Sequence, residues 1–190
     1  MSYLEKKEII DLVRGCQQQN PQAQAAFYNL YKRRFLGICR RYSHTTFEAE
    51  DIFQEAFIKV FKQIHQLKTP QTVSIWIKSI LIRTAIDYFR KNKALYVYEN
   101  TENETIFIED EADFSILDVL EKEQVLAIIM KMPEGYRLIL NLYLIDGYEH
   151  AEIAEMLGIS VGTSKSQLSR AKEYLRKQLH AIDLKKYENG

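Results

Sequence analysis

In the stretch FEAEDIFQEAFIKVFKQIHQ, residues 47–66, apolar side chains recur at Phe53, Phe57, Val60 and Ile64. At 100° per residue these four fall within about 60° of one another, while Glu48, Asp51 and Glu55 fall on the opposite side with Gln54 flanking. A strand would scatter the same residues over both of its faces. The segment is therefore an amphipathic helix that buries an aromatic stripe and shows solvent a row of acids. The same period runs through nearly the whole chain, and the rest of the fold has to be built from such helices.

A first helix is predicted from about Leu4 to Gln18. Asn20 followed by Pro21 reads as a cap and first-turn proline, opening a helix to about Arg41. Thr45 and Thr46 can cap the acid-bearing helix, KTPQT ends it, and a fourth helix runs from about Val73 to Lys91. The stretch YENTENETIFIEDEAD, residues 98–113, lacks helical periodicity and reads as a flexible acidic linker. Beyond it come FSILDVLEKEQVLAIIMKM, a helix opened by Pro133 and closed near Gly147, a short EIAEMLG helix and a long basic one. The predicted fold class is all-α, with small helical domains at 1–93 and 118–190 joined by a linker at 94–117.

Charge divides the chain along the same lines. Its formal net charge is zero, yet residues 1–93 hold 16 Lys and Arg against 8 acids, and residues 94–117 hold 7 acids and no base. Residues 160–190 hold 7 bases against 3 acids. Blocks of this kind point towards a polyanionic partner, although a basic face can also be merely solvated. No apolar run is long enough for a membrane span, and the charged start MSYLEKKEIIDLVRG has no signal-peptide core, so a cytoplasmic location is expected. Cys16 and Cys39 sit inside helical patterns without metal spacing and are expected as buried, reduced thiols. The chain has no phosphate loop, nucleophile elbow or paired zinc cysteines. No catalytic residue, enzyme activity, cofactor or small-molecule substrate is expected.

Three segments carry candidate chemistry. Ile153, Ala154 and Leu157 give EIAEMLG an apolar face, Gly158 suits a left-handed helix end, and Ser160 suits the next cap. Two helices joined in this way form a helix-turn-helix or a plain hairpin. In the former, Thr163, Ser164, Lys165, Ser166, Ser169, Arg170 and Lys172 would face DNA, with Leu168, Ala171 and Leu175 inward. The row of Glu48, Asp51, Gln54 and Glu55 allows a solvated face, a docking face for a basic partner, or a metal site with His44 and His65. A bundle metal site needs ligands from a second helix, and no Glu-x-x-His motif occurs, so no metal is expected. In VSIWIKSILIRTAIDYFRKNK, the residues Ile77, Leu81, Ala85, Tyr88 and Phe89 mark the buried face, and Trp76, Arg83, Asp87 and Arg90 share an outer stripe. That stripe suits a surface ion-pair ladder, with Asp87 between Arg83 and Arg90, or a platform for unstacked bases.

The wording of these segments resembles the sigma-70 family of bacterial RNA polymerase sigma factors. EIAEMLGISVGTSKSQLSRAKEYLRKQL is similar to region 4.2, EAEDIFQEAFIKVFKQI to region 2.2, and the tryptophan segment to regions 2.3 and 2.4. The resemblance covers about residues 8–91 and 118–179. The missing middle domain places the chain with the short extracytoplasmic-function (ECF) group. It implies a transcription initiation factor whose partners are core RNA polymerase, promoter DNA and an anti-sigma factor, in many cases membrane-bound. Carried over residue by residue, Asp51, Gln54 and Glu55, with Glu48, would dock on core polymerase. Trp76, Arg83, Arg90 and Lys91 would meet the minus-ten element, and the residues from Thr163 to Lys172 named above would meet the minus-thirty-five element. The chain departs from the family at Arg83, usually Asn; at Ser164, usually Val; at Gln167, usually Arg; and at Glu149, where a Ser or Thr cap is usual. Arg suits guanine where Asn suits adenine, so Arg83 implies an altered preference at one minus-ten position. A stand-alone helix-turn-helix regulator is the alternative; it needs only the C-terminal helices.

Overall fold

The computed structural model describes the backbone of residues 3–92 and 122–188, with side chains over 7–91 and 127–180. The predicted linker at 94–117 lies outside the described residues, as does the start of the helix expected from residue 114. Every regular element among the described residues is helical. The chain divides into two compact units, Met1–Val97 and Tyr98–Gly190.

The first unit contains α1 (Tyr3–Gln17), α2 (Pro21–Tyr42), α3 (Thr46–Gln63) and α4 (Val73–Asn92). Asn20 caps α2 by accepting from the backbone N–H groups of Gln22 and Ala23 at 2.9 and 3.0 Å. The α1–α2 crossing is tight. A Cβ added to Gly15 would stand 2.5 Å from the Cβ of Ala23, so only glycine fits there. Gln17 ties the end of α1 to the turn after α3, donating to the carbonyls of Ile64 and Leu67 at 3.1 and 3.0 Å.

The aromatic stripe of α3 is buried as its spacing requires: Phe53, Phe57, Val60 and Ile64 are all at most 2% exposed. Phe53 and Phe57 stack at 4.4 Å, and Phe27 and Tyr28 of α2 close on Phe57 at 6.3 and 5.3 Å. Such ring pairs contribute roughly 0.5–1.5 kcal/mol each beyond the area they bury. On α4 the buried arc is wider than the expected face. Ile77, Leu81 and Ala85 are buried, and so are Ile80, Ile82, Thr84 and Ile86, while Tyr88 and Phe89 are only half-buried. Both α2 and α3 pack on α4, and two neighbours enclose a wider arc than a single face.

The second unit contains α5 (Lys122–Lys131), α6 (Glu134–Leu140), α7 (His150–Leu157) and α8 (Val161–Glu188). Pro133 opens α6 as the extended residue at its N-terminal cap. After Leu140 the helix continues as a π-turn, Asn141–Ile145, in which the Asp146 N–H reaches the Asn141 carbonyl at 2.9 Å. Ile128, Ile129, Met132 and Leu140 close on Ala171, Leu175 and Leu179 of α8 to form the core.

Candidate nucleic-acid and partner interfaces

The turn between α7 and α8 forms as its residues predict. Gly158 ends α7 in the left-handed region at φ 67°, and the Ile159 N–H returns to the Ala154 carbonyl at 3.0 Å. Ser160 opens α8, its hydroxyl accepting from the Thr163 N–H at 2.9 Å. At the other end of α7, Glu149 stands as the cap, and the Glu152 carboxylate accepts its N–H at 2.8 Å. An acidic residue thus fills the position usually taken by a hydroxyl.

Along α8, Leu168, Ala171 and Leu175 face inward as expected. Lys165 is exposed, and Thr163, Ser166, Ser169, Arg170 and Lys172 are half-exposed. Ser164 has to be withdrawn from the surface set. It is fully buried, and its hydroxyl is hydrogen-bonded to Nδ1 of His150 at 2.9 Å. The helical period puts Ser164 one turn before Leu168 on the same inward face. Gln167 is half-exposed and lies beside the start of α6, its amide oxygen 3.3 Å from where a Cβ on Gly135 would be.

His150 carries no obvious signal in the sequence, yet it organises this turn. Its ring stacks on Tyr143 at 4.5 Å. Burial, then the charges of Lys165 and Lys172, hold its pKa below the ordinary histidine value. A neutral imidazole is the form that can accept the Ser164 hydroxyl.

In the first unit, the four acid-row residues meet different fates. Asp51 and Gln54 are exposed. Glu48 is committed to its own helix start: its carboxylate accepts the backbone N–H groups of His44 and Thr45 at 2.7 and 3.2 Å, and its own N–H donates to the Thr45 hydroxyl at 3.1 Å. Glu55 pairs with Lys59 at 3.3 Å and with Lys91 of α4 at 3.8 Å.

On α4, Arg83, Asp87, Arg90 and Lys91 are exposed and Trp76 is half-buried, so the outer stripe is the arc left open by α2 and α3. Asp87 is held from α3: Lys59 reaches its carboxylate at 3.4 Å while donating to the buried Thr84 hydroxyl at 3.1 Å. Lys59 therefore bridges the acid row and the tryptophan stripe. Its place one turn after Glu55 was the only hint of this role in the sequence. Among the described residues no three His, Cys, Asp or Glu side chains converge as a metal site would require.

Comparison with known proteins assigns the family. A Sigma-70 region 2 family model matches residues 27–95, and a Sigma-70, region 4 model matches residues 122–175. The ECF RNA polymerase sigma factor SigW of Bacillus subtilis is 33% identical over 195 residues, covering 96% of this chain and 100% of that one. The chain belongs to the ECF RNA polymerase sigma factors. A second relative, RNA polymerase sigma factor SigV of Bacillus subtilis, is 30% identical over 154 residues, covering 81% of this chain and 89% of that one. The solved structure of CnrH in complex with the cytosolic domain of CnrY is 18% identical with a TM-score of 0.49, covering 92% of this chain and 98% of that one. As a sigma factor, the protein is a transcription initiation factor that directs core RNA polymerase to promoters. A family of this kind supplies specificity to the polymerase and carries no catalysis of its own. Among the described residues no helix is long and apolar enough to cross a membrane.

Proposed function

We propose that the two exposed faces of the first unit divide the work of initiation. The α3 face, through Asp51 and Gln54 with Glu48 and Glu55 behind them, docks on a basic surface of core polymerase. The α4 stripe, Trp76 with Arg83, Arg90 and Lys91, receives the minus-ten strand, the indole offering a stacking face and the cations the phosphate contacts. In the second unit, Thr163, Lys165, Ser166, Ser169, Arg170 and Lys172 meet the minus-thirty-five duplex, without Ser164. Domain boundaries at 1–93 and 118–190, with residues 94–117 as the tether, fit this division. The chain would act where its polymerase acts, in the cytoplasm.

The observation that carries this reading is the Lys59 bridge. It links the acid row of α3 to the tryptophan stripe of α4 through one side chain, an arrangement that suits a factor holding polymerase and DNA at once. Co-elution with purified core polymerase tests it. Wild type should co-elute and the charge-reversed Asp51→Arg/Glu55→Arg protein should not. If neither binds polymerase while both bind promoter DNA, the protein works as a stand-alone regulator.

A further inference from the structure

The acid row of α3 has an apolar residue at each end. Phe47 is 82% exposed and Ile58 is 55% exposed. Counted at 100° per residue, Phe47, Asp51, Gln54 and Ile58 lie within about 60° of one another, in the spacing i, i+4, i+7, i+11. They form one straight stripe about 16 Å long. The core has no need of either residue, because Phe53, Phe57 and Val60 already fill the inner face of α3. Scattered exposed hydrophobics are ordinary on a protein surface; these two are in register with the docking residues.

The polar members of the row are also fewer than they look. Glu48 is spent on the helix cap and Glu55 is shared between Lys59 and Lys91. Asp51 and Gln54, which have no such tie among the described residues, remain. One carboxylate and one amide in water orient and steer a partner, but an exposed ion pair adds only about 0–1 kcal/mol of affinity. Lasting association of helix surfaces rests on a few apolar or aromatic anchors that become fully desolvated.

We infer that Phe47 and Ile58 are the affinity anchors of the α3 docking face, inserting into two apolar hollows that flank a basic side chain on core polymerase. This inference rests on the docking role proposed above. Charge complementarity to Asp51 and continuity with the acid row single out that occupant over a second copy of this chain. Binding of full-length Phe47→Ala/Ile58→Ala protein to purified core polymerase, at low and high salt, tests it. Both side chains are surface-exposed, so the variant should keep the wild-type circular dichroism and melting temperature. Its dissociation constant should rise by about tenfold or more with an unchanged salt dependence. Asp51→Asn, in contrast, should flatten the salt dependence. Affinity within twofold of wild type for the double alanine protein overturns the inference. If Asp51→Arg/Glu55→Arg still abolishes binding in that case, the docking role stands and the anchors alone are wrong. If the alanine pair changes only self-association of the free protein, the stripe belongs to a second copy and the inference is likewise overturned.

Discussion

Ser164 and Arg170 stand six residues apart on α8 and separate what the recognition helix does for stability from what it does for DNA. Ser164 is sealed against His150, whereas Arg170 is half-exposed. Ser164→Ala should therefore leave affinity for a minus-thirty-five duplex within about twofold while lowering stability by roughly 1 kcal/mol, the scale of one net hydrogen bond. Arg170→Ala should instead weaken duplex binding by about 1–3 kcal/mol. Duplex titrations and thermal melts on both variants check this pair. Burial acts in the same way on the two thiols. It pushes Cys16 up to about 11 and Cys39 up to about 12, so neither carries thiolate at neutral pH. Both should resist iodoacetamide in the folded protein and react fully once it is unfolded, as intact-mass measurements would record.

At the scale of an element, the start of α7 links the helix-turn-helix to pH. The folded pKa of His150 lies below its ordinary value because burial and the cations Lys165 and Lys172 disfavour the imidazolium. The unfolded chain then binds the extra proton first. The stability this provides is complete above about pH 6.5, the unfolded value, and is lost as pH falls through it towards the folded pKa. Protonation would place a proton on both ring nitrogens, so Nδ1 could then meet the Ser164 hydroxyl only as a donor. Urea unfolding of the second unit should show a falling midpoint between pH 7 and pH 5.5, and His150→Gln should decline less over the same range. Equal slopes for the two proteins would remove His150 from this role.

At the scale of the whole molecule, promoter choice needs both units working with polymerase, so the departure at Arg83 is best read there. Arg83 is exposed on the stripe of α4 beside Trp76, Arg90 and Lys91. A guanidinium makes bidentate contacts to guanine and an amide makes them to adenine. Transcription by the reconstituted holoenzyme from promoters varied at each minus-ten base should show one position where wild type favours guanine. Arg83→Asn should move that preference towards adenine. Equal promoter strength with all four bases at every position would dismiss the idea.

Local physics was legible in the chain: the period of α3, the Asn20 and Thr45 caps, the left-handed Gly158 and the Ser160 start of α8. Each depends on residues within one or two turns, where spacing alone decides which backbone groups and which faces meet. The motifs at Asp51–Glu55, Trp76–Lys91 and Thr163–Lys172 likewise carried the family, because their wording survives in the sequence. What lay beyond reach depended on partners far along the chain. The wide buried arc of α4 follows from two neighbours, α2 and α3, closing on it together. Lys59 gains its role only when Thr84 and Asp87 arrive from another helix, and His150 only when Ser164 turns inward beneath it. The division of the acid row, with Glu48 and Glu55 engaged and Asp51 and Gln54 open, was set the same way: a charge in a sequence has a sign, and its partner is chosen by packing.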